Sequence, residues 1–266
     1  MRVALTIAGS DPTGGAGLQA DLQVFRAFGV HGAGVLTALI VQDTKKVHRM
    51  MPVFPSVVLD QLRVLLRDVR PHAVKLGALA SDDVARNVAL GLTELPTDRA
   101  VPIVIDPVLV ASDGSPLLER RAWSVLQELI SRAALVTPNL HEAEALTGCD
   151  TSSEEGTEAA ACVFVSNLGA RAALVKGGHR DGPPRDLLAE RRGAGVSLSW
   201  LDGERVEGGD VHGTGCALAA AITARLARGD ALAEAVARGR RFVAEALRCV
   251  ARAEGHGRLL IYPDSV

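Results

Sequence analysis

The chain has 266 residues, 48% of them hydrophobic and 23% charged, and carries a formal net charge of -2. That composition is globular rather than disordered, and it lacks the basic excess of a nucleic-acid-binding surface. No apolar run reaches the length of a signal sequence or a membrane span: the first breaks at Gly9-Ser10-Asp11-Pro12, and the alanine-rich stretch 217–226 contains Arg225. Cys149, Cys162, Cys216 and Cys249 form no C-x-x-C pair, which argues against zinc or a disulfide framework and for a reducing, cytoplasmic setting.

Short apolar runs alternate with helical stretches along the whole chain, the pattern of an α/β fold. Strands are predicted over residues 3–8, 34–41, 73–76, 103–105, 135–137 and 172–175, with an antiparallel or edge pair over 186–189 and 196–200. Helices are predicted over 15–28, 55–69, 81–92, 119–131, 140–147, 154–168, 215–228 and 231–253. Val58, Leu62, Leu65, Leu66 and Val69 recur at helical spacing, and the all-apolar strands suit a parallel sheet covered on both faces. No repeat and no linker divides the chain, so residues 1–266 read as one domain.

Polar residues follow one strand end after another: Asp11, Gln42, Asp106, Asn139 with Glu142, and Lys176. Open parallel sheets bind ligands beyond those carboxyl ends. The sharpest local signal is Asp210-Val211-His212-Gly213-Thr214-Gly215-Cys216, running into a helix. Gly213 and Gly215 permit a tight turn and a close backbone approach, and the helix start offers unpaired N–H groups to an anion. Cys216 lies in the first turn, where the helix dipole favours the thiolate and would fit it to act as a base. A small buried cysteine is the plainer alternative, and Asp210 is a rival base.

The glycines of residues 9–17 match neither a P-loop nor a dinucleotide fingerprint. Asp106 and Glu142 suit a hydrated magnesium ion, which needs only one or two carboxylates. Each also fits a capping or solvent-facing role. Lys176 enters Gly177-Gly178 as a point charge suited to a phosphate, or equally as a strand-end lysine reaching solvent.

The ordered motifs Thr6–Asp21 (TIAGSDPTGGAGLQAD), Thr37–Thr44 (TALIVQDT), Val104–Ala111 (VIDPVLVA), Val136–Leu146 (VTPNLHEAEAL), Val175–His179 (VKGGH) and His212–Cys216 (HGTGC) resemble the hydroxymethylpyrimidine and phosphomethylpyrimidine kinases of thiamine biosynthesis, within the ribokinase-like superfamily. The resemblance implies a three-layer sandwich with a mainly parallel sheet. It also implies ATP- and Mg2+-dependent phosphorylation of 4-amino-5-hydroxymethyl-2-methylpyrimidine and of its monophosphate, by a homodimer.

Carried over by motif, Cys216 would be the base and the amides of Gly213, Thr214, Gly215 and Cys216 the anion hole. Gln42, Asp21 and Gly9 would face the pyrimidine, Lys176 and Asn139 the ATP phosphates, and Asp106 and Glu142 the metal. A pyridoxal or pyridoxine kinase on the same scaffold and a non-catalytic pyrimidine-binding relative are the alternatives. Two departures from the family pattern, Asp43 for Asn and Asp210 for Asn, add negative charge. Asp43 beside Gln42 predicts weaker handling of the monophosphate. Residues 179–185 read as a flap able to cover ATP.

Overall fold

The structure, a computed structural model, describes residues 1–178, 183–205, 211–252 and 258–263. Eight strands form its central sheet: β1 (Val3–Ala8), β2 (His31–Leu36), β5 (Ala73–Leu76), β6 (Ile103–Ile105), β7 (Leu135–Val136), β8 (Ala172–Val175), β9 (Arg185–Arg192) and β10 (Gly195–Asp202). Their order is β10-β9-β8-β7-β6-β5-β1-β2. The strands from β2 across to β8 pair in parallel, while β9 and β10 add an antiparallel edge.

Helices cover both faces, as the alternating pattern predicts. On one face lie α1 (Gly17–Ala27), α7 (Thr214–Arg228) and α8 (Leu232–Arg248); on the other lie α2 (Pro55–Asp68), α3 (Asp82–Gly91), α4 (Trp123–Ser131), α5 (Leu140–Thr147) and α6 (Glu154–Ser166). Strand alternation divides the side chains between them. Val74 and Leu76 of β5 enter the core under α2–α6, whereas Ala73 packs toward α1 and α7. Lys75, one residue from each neighbour, therefore points toward α1 and α7 as well. Helix α7 lies against β1, β5 and β6 and is buried along most of its length, with Ala217, Ala219, Ala220, Ala221 and Ala224 inaccessible. Small side chains let its axis approach the sheet closely.

The predicted strand over 34–41 divides in two. At Thr37 the chain leaves the sheet: its N–H donates to Ala8 O, its hydroxyl to Ala78 O at 2.6 Å, and its carbonyl accepts from Val53 N. Beyond it, β3 (Ala38–Gln42) pairs antiparallel with β4 (Val47–Pro52) as a separate hairpin. Gln42 therefore ends a hairpin strand, not a strand of the central sheet. The helix predicted to reach residue 253 stops at Arg248, and a short pair, β11 (Ala251–Arg252) and β12 (Arg258–Leu259), follows it.

Candidate active site

The head of α7 is built from backbone. Gly213 caps the helix at φ +86°, and a Cβ there would lie 1.8 Å from the Gly15 carbonyl oxygen. Only glycine permits that contact and that left-handed conformation together. It presses the 211–216 turn against the loop after β1. No side chain caps the first amides of α7, so these donors stay available to an anion. Lys176 faces the same turn, its Nζ 3.0 Å from where a Gly215 Cβ would sit. The sequence-predicted anion hole and its cation thus meet in space.

Cys216 reverses one expectation. Burial pushes its thiol up to about 11, although Lys75 and the Gly17 amide act in the other direction. Asp106 and Asp21 reinforce the rise. The helix dipole is outweighed because the sulfur is desolvated among carboxylates, so the thiol is protonated at neutral pH in the unliganded protein. Asp210, the rival base, lies outside the described residues, as do residues 179–182 of the predicted flap.

Asp21 is not at the pocket surface. It is fully buried, and its carboxylate accepts from Lys75 Nζ at 2.7 and 2.8 Å and from the Thr6 hydroxyl at 2.5 Å. Register explains the meeting: Thr6 of β1 is paired with Lys75 of β5, so both side chains rise on the α1 face. Lys75 is also wholly buried, and its neighbours Asp21, Cys216 and Asp106 keep it charged against the cost of burial. Sequence reasoning passed over Lys75. The available signal was a lysine inside a four-residue strand whose other members are Ala, Val and Leu.

Asp106 follows β6 and is 3% exposed. Its Oδ1 accepts from Lys176 Nζ at 3.0 Å and from the Thr137 hydroxyl at 3.2 Å. Lys176 reaches it because β7 and β8 end side by side, with Lys176 N donating to Pro138 O. Asn139 and Glu142 form the capping box of α5: Asn139 Oδ1 accepts from Glu142 N, and Glu142 Oε2 accepts from Asn139 N, both at 2.8 Å. Burial raises the Glu142 carboxyl to about 7; Lys176 opposes the rise and Asp106 adds to it.

Those two acids are a fair fit for magnesium. Among the described residues no three His, Cys, Asp or Glu side chains converge as a closed ligand set. Magnesium held between phosphates needs only one or two carboxylates, and Glu142 shares the Lys176 charge with Asp106, leaving the two acids together with one nearby ammonium group. Asp106 and Glu142 have the chemistry such a site would need.

Gln42 stands at the mouth of the site beside Asp11 and His212, its Nε2 3.5 Å from His212 Nε2. Gly9 backs this wall, its carbonyl accepting from Leu18 N and its α-carbon facing Ile40 of β3. Asp43, one residue on, turns away. Its Oδ1 accepts from Lys45 N and Lys46 N at 2.7 and 3.1 Å, and its Oδ2 lies 2.8 Å from His48 Nε2. The hairpin turn absorbs its charge, which removes the basis for expecting it to disfavour an anionic substrate.

A mainly parallel sheet between helices, with an amide-lined helix start, a lysine and two acids at its carboxyl edge, is a phosphoryl-transfer arrangement of the ribokinase-like type. The comparisons narrow it. The profile of the phosphomethylpyrimidine kinase family matches residues 11–260, and the chain belongs to that family. It is 40% identical over 259 residues to a hydroxymethylpyrimidine/phosphomethylpyrimidine kinase of Rhizobium meliloti, covering 96% of this chain and 94% of that one. The crystal structure of phosphomethylpyrimidine kinase from Clostridium difficile matches with a TM-score of 0.80 at 33% identity, covering 93% of this chain and all of that one. A Bacillus subtilis pyridoxal kinase in its ADP complex matches with a TM-score of 0.88 at 29% identity, over 99% and 98% of the two chains.

Proposed function

We propose that this chain transfers the γ-phosphoryl group of ATP to the hydroxymethyl group of 4-amino-5-hydroxymethyl-2-methylpyrimidine, and then phosphorylates the monophosphate so formed. The observation that carries this reading is the meeting of the Gly213–Cys216 turn with Lys176 at one edge of the sheet. Phosphoryl transfer asks chiefly for positioning and charge stabilisation. The uncapped amides of Gly213, Thr214, Gly215 and Cys216 and the Lys176 ammonium group receive the charge that develops on the transferred group. Cys216 first releases its own proton to solvent, which the Lys75 ammonium group favours, and the thiolate then takes the proton of the substrate hydroxyl.

Gln42 and Gly9 hold the ring, and Asp21 acts on the site through Lys75. Lys176 and Asn139 face the nucleotide phosphates. Asp106 and Glu142 would hold Mg2+, which when bound would supply positive charge to the nucleotide phosphates. The chain works as a single kinase domain and as a homodimer: Leu39, Val41 and Met51 leave an apolar face exposed on the β3–β4 hairpin. Its four free cysteines suit the reducing cytoplasm.

The higher TM-score with the pyridoxal kinase favours vitamin B6 phosphorylation as the second reading. A panel of the pyrimidine alcohol, its monophosphate and pyridoxal, assayed with ATP and Mg2+, separates the two. Both pyrimidines should exceed pyridoxal in kcat/KM by tenfold or more, and pyridoxal preference would overturn the proposal. Ligand binding without ATP turnover would instead mark a non-catalytic relative. Cys216→Ala should lower kcat by roughly 10^2 to 10^4, the usual contribution of a positioned base. Full activity in that variant would pass the role to Asp210.

A further inference from the structure

The turn that carries the anion hole begins with His212, to which the reaction scheme above gives no part. Its Nε2 lies 2.9 Å from Oδ2 of Asp11, in the loop after β1. Asp11 is 1% exposed, and its carboxylate is fully occupied. Oδ1 accepts from Thr13 N and the Thr13 hydroxyl at 2.9 and 2.8 Å, while Oδ2 accepts from Ala16 N at 2.8 Å as well as facing His212. The contacts to Thr13 and Ala16 are local and shape the loop. The contact to His212 spans 201 residues and reaches across to the turn.

Burial opposes ionisation of Asp11, but hydrogen bonds, led by that from His212, outweigh it and hold the carboxyl at about 2. An ionised carboxylate only accepts, so the imidazole turns an Nε2–H toward it whether the ring is neutral or charged. A hydrogen bond to an ionised group is shorter and stronger than one between neutral groups. Elsewhere the loop and the turn meet at glycines. The α-carbon of Gly213 rests against the Gly15 carbonyl, and a Cβ on Gly15 would lie 3.2 Å from His212 Cδ2. Glycines allow that approach but interlock nothing. No side chain caps the first amides of α7, so the turn must take its direction from outside the helix.

We infer that Asp11 and His212 are positioning residues, whose hydrogen bond latches the turn to the loop after β1 and holds the Gly213–Cys216 amides aimed at the phosphoryl group during transfer. The inference rests on the kinase reading and adds what keeps its anion hole in working orientation. His212 directly precedes Gly213, and the planar peptide between them passes the direction of one residue to the next. Donors already aimed at developing charge need no reorganisation as the reaction proceeds. The latch therefore acts on the transition state and leaves the resting affinity for each substrate nearly unchanged.

Substitutions at His212 make the sharper test, because they remove the long-range contact and spare the three that shape the loop. His212→Leu keeps bulk and loses the donor. It should lower kcat by about tenfold to a hundredfold, with KM for ATP and for the pyrimidine alcohol within about threefold of wild type. His212→Gln, which carries an amide N–H near the place of Nε2, should recover most of that loss; His212→Asn, one bond shorter, should not. Binding of MgADP with aluminium fluoride and the pyrimidine alcohol, a mimic of the transferring phosphoryl group, should weaken about tenfold or more in His212→Leu while MgADP alone binds as before.

Unchanged kcat in His212→Leu, or equal losses for the mimic and for MgADP alone, would overturn the inference. Should His212→Leu not fold, the glutamine and asparagine variants decide it, and equal kcat in those two would overturn it as well. If the wild-type protein phosphorylates pyridoxal instead of the pyrimidine, the substrate reading fails and the same ratios are measured on pyridoxal. Absence of ATP turnover on either ring would overturn both.

Discussion

Lys75 and Asp21 meet at 2.7 Å with both side chains wholly buried; His48 and Asp43 meet at 2.8 Å with side chains 44% and 54% exposed. The distances are alike and the energetics are not. Around Asp43 water can replace either partner, so the contact organises a turn and contributes little to stability. Around Asp21 nothing can replace Lys75, and removal of one partner strands the other in a low-dielectric interior. The buried pair is therefore obligatory and fixed in place, close to Cys216. The exposed pair sits on the hairpin, outside the central sheet.

Lys75→Met tests this contrast hardest. It should cost roughly 3–5 kcal/mol in urea unfolding, the range for breaking a buried pair on one side. Burial already raises the Asp21 carboxyl even with Lys75 present, so in the variant Asp21 should take up a proton in the folded state. A carboxyl that binds its proton more tightly when folded makes stability fall as pH rises, so the loss should be larger at pH 8 than at pH 5. Adding Asp21→Asn should restore most of it. Equal losses at both pH values, or no recovery in the double variant, would break the argument.

Glu142→Gln comes next in size. With the folded carboxyl at about 7 against an unfolded value near 4.5, the wild-type protein loses stability between those pH values. The glutamine variant keeps an acceptor for Asn139 N and carries no charge. It should be more stable than wild type at pH 8, by about 1–3 kcal/mol, and equal to it near pH 4. The same variant should bind Mg2+–ATP more weakly, so stability and activity should move in opposite directions.

Asp43→Asn should do least. Hydrogen bonds from His48, Lys45 N and Lys46 N hold the Asp43 carboxyl at about 2, so its small contribution persists through neutral pH and is lost only in acid. Thermal unfolding at pH 7 should shift by no more than about 2 °C, as for other exposed pairs. In 1 M salt even that shift should vanish, whereas the Lys75→Met loss should persist. A large effect of Asp43→Asn on monophosphate turnover would place that side chain in the substrate site after all.

Much of this was legible in the chain itself. Strands β1, β5, β6 and β8 fall where apolar runs place them, and the antiparallel β9–β10 edge follows from its position after the last parallel strand. The glycine turn, Lys176, Asp106 and Glu142 could be placed at one sheet edge because strand ends fix where the chain emerges. The hairpin escaped, since residues 34–41 read as one mostly apolar run interrupted only by Thr37, and β4 reads VHRMMP, with no alternation to mark it. Lys75 escaped for a different reason, and Asp11, singled out at a strand end, gave no sign of its partner. Their roles come from partners 54 and 201 residues away, and no local pattern encodes a register between strands or a contact across the sheet edge.

The alanines of α7 carry a last consequence. A helix seated on the sheet by methyl groups, and pinned at its head where Gly213 meets Gly15, has no slack with which to follow a larger or differently shaped acceptor. New substrate ranges on this scaffold must therefore be written in the hairpin and the loop after β1, while the phosphate-handling edge is inherited unchanged. A library confined to residues 38–52 should yield altered ring preferences with turnover intact, and one confined to 213–224 should yield chiefly dead or unfolded proteins.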